Sequence, residues 1–246
     1  MRVAVLPLMV FEVFGVFEPG AIAAPPRINH ALIYELGTGR AKPVFDYKRT
    51  ETTLPDGKLE VTAVFHNMDG TPAFTEKLEA QGSRVITYDW QHLQMGDSGH
   101  VEVKGSKAHY SYTHGGKTDT SDDTIDANFV IGPTLIYYLQ DHWKELRDGK
   151  DVDVRIGVPD RMSDFGFKFN VTKTEKTPKG EVVNVRLKPT SIFVSAVVSP
   201  IYFEFSADGK ALLSSRGMSL LKIKRDGKWS ELKAETVFDP APQAQQ

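Results

Sequence analysis

The sequence predicts a mainly β protein, with one strongly curved antiparallel sheet or an incomplete β-barrel and one covering α-helix. Three observations predict this class. Apolar residues recur at every second position in many segments, Asp-Gly-Lys turn signals separate several of those segments, and one stretch has clear helical periodicity. With 246 residues, 40% of them apolar, the chain is long enough to bury a core of this kind.

The first residues precede the predicted sheet. Arg2 comes before an apolar run, and Ala21-Ile22-Ala23 places small residues two apart, as a signal peptidase requires. We expect residues 1–23 to be a signal peptide and the mature protein to be periplasmic or secreted from a bacterium. Glu12 and Glu18 interrupt the apolar run, so a buried N-terminal strand or helix is the alternative.

Strands are predicted wherever apolar and polar residues alternate. In the segment 59–66, four apolar residues share one face while Glu60, Thr62 and His66 share the other, which is typical of a half-buried antiparallel strand. The alternation recurs at Ile86/Tyr88/Trp90, Tyr110/Tyr112, Val152/Val154/Ile156/Val158, Phe165/Phe167/Phe169, Val183/Val185/Leu187 and Phe203/Phe205.

Four Asp-Gly-Lys tripeptides mark turns, because glycine readily adopts the positive φ that tight turns need. They begin at Asp56, Asp148, Asp208 and Asp226. Three of them are expected to form hairpins, which join 44–53 to 58–66, 201–206 to 210–216 and 219–225 to 229–238. The fourth is expected to end a helix.

That helix is predicted over about 133–148. Pro133 suits a first helical position and Gly149 a C-terminal cap. The apolar residues between them recur at helical spacing: Leu135, Leu139, Trp143 and Leu146. In a second segment, 191–199, a short helix competes with a buried strand, and the flanking Pro189 and Pro200 favour the helix.

The segment 115–128 is polar and is predicted to be a solvated loop. A domain boundary there would leave open strand edges on both sides, so we expect residues 24–239 to form a single β-rich domain. The polar residues 240–246 are expected to be a disordered tail. No stretch after residue 23 is long and apolar enough to span a membrane.

The composition excludes several functions. A formal net charge of −2 argues against binding to nucleic acid, and the absence of cysteine excludes disulfides, thiolate metal sites and cysteine nucleophiles. Gly96-Asp97-Ser98-Gly99 matches the string around a serine-protease nucleophile, but these residue types also form turns and no base motif surrounds His66. The histidines lack metal-ligand spacing. We therefore expect no catalytic residue, no metal and no cofactor.

The second half of the chain is rich in apolar residues on strand faces. A curved sheet that closes on a helix can leave an interior large enough for a lipid, whereas the alternative is an ordinary solid core. The predicted hydrophobic lining consists of Leu135, Leu139, Phe165, Phe167, Phe169, Phe193, Phe203 and Phe205.

The order of these segments resembles a family of bacterial periplasmic proteins of unknown function. The resemblance rests on Ile-Gly-Pro-Thr-Leu-Ile-Tyr-Tyr-Leu at 131–139, the turn at 146–150 and the strands in 152–169. The strand 201–205, the Asp208-Gly209 turn and the closing strands to Phe238 fit the same plan, so the resemblance covers mainly residues 130–238. That family is similar to the half-open barrels of lipoprotein carriers. The resemblance implies a fold and a hydrophobic cargo, with no active-site residues.

We therefore expect a non-catalytic exported protein that binds an apolar or amphiphilic ligand, such as a lipid or acyl chain, in the concave face of the half-barrel. Two alternatives remain. One is a cell-envelope interaction or scaffold protein that uses a sheet edge or the segment 191–199, and the other is a hydrolase that uses Ser98 with a histidine and a carboxylate. The ligand, the protein partners and the oligomeric state are not predicted.

Overall fold

The computed structural model describes residues 27–239, so the predicted signal peptide (1–23) and tail (240–246) lie outside the described residues. Within this range the chain forms one continuous, curved and unclosed sheet of fifteen strands.

The first half of the described chain is a meander in which each strand pairs antiparallel with the next. Its strands are β1 (Arg27–Glu35), β2 (Pro43–Thr53), β3 (Leu59–Asn67), β4 (Pro72–Gln81), β5 (Arg84–His92), β6 (Asp97–Lys104), β7 (Lys107–His114) and β8 (Lys117–Thr124).

The second half contains the remaining strands and all the helices. The strands are β9 (Phe129–Val130), β10 (Val152–Val158), β11 (Ser163–Thr177), β12 (Gly180–Pro189), β13 (Ile201–Ser206), β14 (Leu212–Arg225) and β15 (Lys228–Phe238). The helices are α1 (Leu135–Asp141), α2 (Trp143–Arg147) and α3 (Ile192–Ser195), with 3₁₀ turns at Gly132–Thr134 and Pro159–Arg161.

The two halves join where β1 pairs with β15, with Ala31 opposite Phe238. The strand order is therefore β8 to β1 followed by β15 to β9, so β8 and the short, parallel-paired β9 form the two edges. The β8 edge approaches β11, where the Ser163 hydroxyl donates to Asp123 Oδ2 at 3.4 Å. No ladder joins β8 to β9 in the part of the chain that the structure describes, which leaves the barrel open.

The predicted fold class and the three predicted hairpins are confirmed. Residues 212–216 and 219–225 belong to one long strand, β14, whose register is irregular between Met218 and Lys222. The Asp56, Asp208 and Asp226 tripeptides each lie between paired strands, as expected. Three of the fourteen strand pairings in the sheet therefore follow from these short-range hairpin signals.

The predicted helix over 133–148 is confirmed, but it is broken into a 3₁₀ turn, α1 and α2. His142, with φ −101° and ψ 12°, separates α1 from α2. Gly149 follows with φ 80°, as a C-terminal cap requires. In the segment 191–199 the helix interpretation is confirmed for the four residues of α3.

The predicted loop at 115–128 is wrong, because residues 117–124 form β8. Six of the eight β8 residues are exposed. An edge strand of this kind has no buried face, so nothing in its sequence requires apolar residues to alternate. Its charged side chains also oppose pairing with another chain.

The curvature divides the interior into two apolar cores. The first is enclosed by β1 to β7 and the β14–β15 hairpin, and Phe74, Tyr88 and Tyr110 are fully buried in it. The second lies between α1 and α2 and the strands β10 to β13, around Leu139 and Phe169. The helices thus cover the concave face of the second half of the sheet.

Candidate functional site

A cavity of about 580 Å³ lies between α1 and the concave side of the sheet. Its sheet side is formed by five neighbouring strands, β2, β1, β15, β14 and β13, which meet where the two halves of the sheet join. This volume falls within the range of small-molecule sites. We call it the α1 cavity.

Most of the α1 cavity wall is apolar. Leucine and isoleucine side chains from α1 face leucine and phenylalanine side chains of β13, β14 and β15. These residues are Leu135, Ile136, Leu139, Phe203, Phe205, Leu212, Leu213 and Phe238. Several of them are only partly buried, because the cavity leaves part of their surface uncovered.

One end of the α1 cavity is polar because the concave face changes character along the β1–β2 hairpin. Apolar partners such as Ala31 and Tyr47 give way, along the same face, to Asn29 opposite Arg49 and then to Arg27 opposite Glu51. Side chains two residues apart share a strand face, so this charged end continues directly from the apolar core.

Arg49 is the centre of the polar end. Its Nε lies 2.8 Å from Glu51 Oε1, and its Nη2 donates to the Tyr137 hydroxyl at 2.5 Å. The Arg49 and Glu51 side chains are each only 11% exposed, so the ion pair is largely shielded from water. The guanidinium also lies over the Tyr137 ring, 5.4 Å from its centroid. Arg49 thereby links β2 to α1.

A second buried polar pair lies deeper in the first core. The Tyr88 hydroxyl donates to Glu76 Oε1 at 2.6 Å. Burial raises the pKa of Glu76, against the opposing effects of the Tyr88 hydrogen bond and the Arg49 charge. Burial also raises the pKa of Tyr47 to about 12. In both groups burial opposes the charged form, because an isolated buried charge is costly.

Side-chain hydrogen bonds hold the helices over the α1 cavity. Gln140 Nε2 donates to the Gly209 carbonyl at 3.1 Å, and Trp143 Nε1 donates to the Ala207 carbonyl at 3.2 Å. On the other side, the Ser83 hydroxyl donates to Asp141 Oδ2 at 2.8 Å. The helical cover is therefore tied to both the β13–β14 turn and the first half of the sheet.

The structure brings seven of the eight predicted lining residues to one core. Leu135, Leu139, Phe203 and Phe205 line the α1 cavity itself. Phe165, Phe167 and Phe169 pack in the same core but do not line the α1 cavity, because they lie on β11, which β12 separates from β13.

Phe193 requires a correction, because its side chain is 84% exposed and lies away from this core. It belongs to the connection between β12 and β13, where no neighbouring strand covers it. Ile192 and Val197 in the same connection are about as exposed. Apolar composition alone predicted burial here, but burial needs a packing partner.

The sequence reasoning missed Arg49, Glu51, Glu76 and Tyr137. A signal for three of them was present, because Arg49 and Glu51 continue the alternating face of Tyr47, and Glu76 stands between Phe74 and Leu78 on its own strand face. A charged residue on an apolar strand face is rare unless it is paired, and so indicates a buried ion pair or site.

The arrangement around Ser98 does not assemble a catalytic triad. Ser98 lies in β6 rather than in a turn, because of the four residues 96–99 only Gly96, with φ 78°, belongs to the preceding turn at 93–96. His114 Nδ1 lies 2.8 Å from Asp97 Oδ1, but consecutive strand residues point to opposite faces. Among residues 27–239 no hydrogen bond joins a histidine to a serine hydroxyl.

Residues 27–239 also contain neither a metal-binding cluster nor a membrane-spanning helix. In the described range, no cluster of three or more His, Asp or Glu side chains has the geometry to hold a metal ion. The helices found between residues 27 and 239 are too short or too polar to cross a membrane.

The fold and the site together define a mainly β protein with an open, curved antiparallel sheet and a helix-covered cavity on its concave face. No protein-family model and no curated protein matches the chain. One solved structure that does match is a beta-barrel-like protein of a domain of unknown function (DUF1849) from Brucella abortus. It is 9% identical, the match covers 87% of this chain and 94% of that chain, and the TM-score is 0.44. At that similarity, function must be argued from this chain's own residues.

Proposed function

We propose that the protein is a non-catalytic, exported binding protein for an amphiphilic molecule with an alkyl chain. The alkyl part lies in the α1 cavity, and the polar part lies at the end formed by Arg49, Glu51 and Tyr137. The observation that carries the proposal is a cavity of about 580 Å³ with apolar walls and a buried charged pair at one end. Export rests on the signal-peptide pattern of residues 1–23.

The energetics favour an alkyl ligand. Burial of each methylene group contributes about 0.8 kcal/mol, which corresponds to about fourfold in affinity. Saturated fatty acids of increasing length should therefore bind with affinities that rise by about this factor per carbon, until the cavity is full. A solid core would give no such dependence.

The test is displacement of a fluorescent apolar dye from the purified protein by fatty acids of eight to about sixteen carbons. Leu135→Trp adds bulk at the cavity wall and should weaken binding of the longer acids by about tenfold or more. Phe193→Trp is the matched control, since it also adds bulk at an apolar residue but at an exposed site, and it should leave binding unchanged.

Native mass spectrometry of the protein as purified, with solvent extraction, gives an independent reading. The proposal is supported if an amphiphile co-purifies with the wild type and with Phe193→Trp, and if a smaller amount of it co-purifies with Leu135→Trp. Two results would rule the proposal out. One is a bound dye that fatty acids of all lengths displace equally well, and the other is an equal loss of fatty-acid affinity in the two variants.

The sequence also allowed an alternative function, that of a cell-envelope interaction protein without a small ligand. One observation in the structure favours it. Ile192, Phe193 and Val197 are 80%, 84% and 78% exposed, and exposed apolar clusters are typical of interaction surfaces. The same two variants separate the functions, because an interaction through this segment would depend on Phe193 and not on Leu135.

A further inference from the structure

A second cleft, of about 390 Å³, lies at the opposite ends of the strands from the α1 cavity. β2 connects the two sites, since its first residues border the cleft and its later residues border the α1 cavity. The end of β3, the β5–β6 turn and the β14–β15 hairpin complete the cleft. We call it the lysine cleft. It is lined by Lys42, Pro43, Val44, Phe45, Asn67, Met68, Gln94, Lys222, Ile223, Lys224 and Trp229.

The charge of the lysine cleft is one-sided. Lys42, Lys222 and Lys224 line it, and no aspartate or glutamate does. None of the three lysines forms an ion pair with a carboxylate among residues 27–239, whereas six of the other sixteen lysines in that range do. The whole chain has a net charge of −2, so this positive cluster is a local feature. It favours an anionic ligand.

The aromatic wall of the cleft is Trp229. Its ring is partly exposed, and Lys224 Nζ lies 5.8 Å from the ring centroid. A ligand with a flat, weakly polar face can pack on such a ring, and its anionic group would then lie beside the ammonium.

Two side chains near Trp229 have buried polar atoms without a partner among the described residues. The Gln94 amide uses Nε2 to donate to Asn67 Oδ1 at 3.0 Å, while its buried Oε1 accepts no hydrogen bond within the described part of the chain. His92 is 4% exposed, and its ring centroid lies 6.1 Å from that of Trp229. Neither ring nitrogen of His92 forms a hydrogen bond within the described part of the chain. Unpaired buried polar atoms are costly, and Gln94, which borders the cleft, carries an amide oxygen that is complementary to a hydroxyl donor.

We propose that the lysine cleft binds an anionic saccharide, meaning a sugar that carries a phosphate or carboxylate group. The sugar ring packs on Trp229, and the anionic group lies among Lys42, Lys222 and Lys224. One sugar hydroxyl donates to Gln94 Oε1, which is buried in the structure and becomes accessible when the amide turns toward the cleft. This binding is independent of the amphiphile proposed for the α1 cavity. Each part of the ligand matches one observed feature of the cleft, namely the Trp229 ring, the Gln94 oxygen without a donor and the three lysines without an ion-pair partner.

The experiment is calorimetric titration of the intact protein with four probes: glucose 6-phosphate, trigalacturonate, glucose and inorganic phosphate. The two anionic sugars should bind more tightly than glucose or phosphate alone, and more weakly at high salt, because exposed charges are screened. Tighter binding of glucose 6-phosphate indicates a free sugar phosphate as the source. Tighter binding of trigalacturonate indicates an acidic polysaccharide.

The double variant Lys222→Gln/Lys224→Gln should weaken binding of the anionic sugars by about tenfold. Lys176→Gln/Lys179→Gln removes two exposed lysines from the distant β11–β12 turn, and is the matched control. Trp229→Leu should weaken both anionic sugars and leave binding of phosphate unchanged. Thermal unfolding checks that each variant is folded.

Three results would overturn the proposal: no binding of either anionic sugar, binding of phosphate as tight as that of the sugars, or equal losses in the two double variants. Binding of fatty acids in the α1 cavity is measured on the same samples, so failure of one proposal is distinguishable from failure of the other.

Discussion

The four Asp-Gly-Lys turns offer an internal comparison of what one local sequence does in different surroundings. Gly57, Gly149, Gly209 and Gly227 all have positive φ, at 81°, 80°, 73° and 80°. A methyl group added to Gly209 would lie 2.3 Å from the Trp143 ring, whereas one added to any of the other three would have nothing within 4 Å. Gly209 therefore combines a conformational requirement with close packing.

The magnitudes follow from these two effects. Alanine in a left-handed conformation costs about 1–2 kcal/mol, so Gly57→Ala should lower the free energy of unfolding by that amount. Gly209→Ala carries the same cost plus about 1–3 kcal/mol for displacing Trp143, about 2–5 kcal/mol in total. Because Trp143 also donates to the Ala207 carbonyl, the displacement should loosen the helical cover of the α1 cavity.

Urea unfolding of the two variants measures the difference directly. A Trp143→Ala background then tests the cause, since Gly209→Ala in that background should cost no more than Gly57→Ala does in the wild type. Equal losses for Gly57→Ala and Gly209→Ala in the wild type would refute the packing argument. So would an undiminished loss for Gly209→Ala after Trp143 is removed.

Three further predictions concern buried or paired side chains. Phe169→Ala should lower the free energy of unfolding by about 3–5 kcal/mol, whereas Phe193→Ala should change it by less than about 0.5 kcal/mol, as measured by urea denaturation. Burial raises the pKa of Glu76, so the protein should lose stability as pH rises from 4.5 through the higher folded pKa. Urea unfolding at a series of pH values should show this loss in the wild type and not in Glu76→Gln. Hydrogen bonds to Asp46 and Asp239 raise the pKa of His30. The contribution of His30 to the free energy of unfolding is therefore complete below pH 6.5 and is lost as pH rises through the folded pKa. His30→Gln should abolish this pH dependence, and NMR titration of the ring measures the pKa itself.

The parts of the fold that the sequence predicted are those that local signals specify. Hairpins require a turn residue and two alternating segments, all within about twenty residues, so β2–β3, β13–β14 and β14–β15 could be read directly. The helical segment was equally readable from its spacing and its capping residues. Its interruption at His142 was not, because the residues on both sides keep the helical pattern.

The pairing of β1 with β15 could not be predicted, because it joins residues about two hundred positions apart and leaves no local pattern. β8 was missed for a different reason. Its residues face solvent on both sides, so the alternation that identifies other strands is absent from it. Its formation depends on hydrogen bonding to β7, which supplies the partner that the sequence of β8 does not reveal.

Phe203 and Phe193 show why the candidate site was only partly predictable. Both belong to apolar stretches of the same region, ten residues apart, but Phe203 pairs with Val185 across β12 and β13 while Phe193 lies in the connection between these strands. Strand pairing therefore decides which phenylalanine lines the α1 cavity. Arg49 is the converse case, because its charge suggests solvent exposure while its position on the Tyr47 face of β2 buries it. For Phe203 and Arg49, the strand face on which the residue lies, rather than the residue type, determines its contribution to the site.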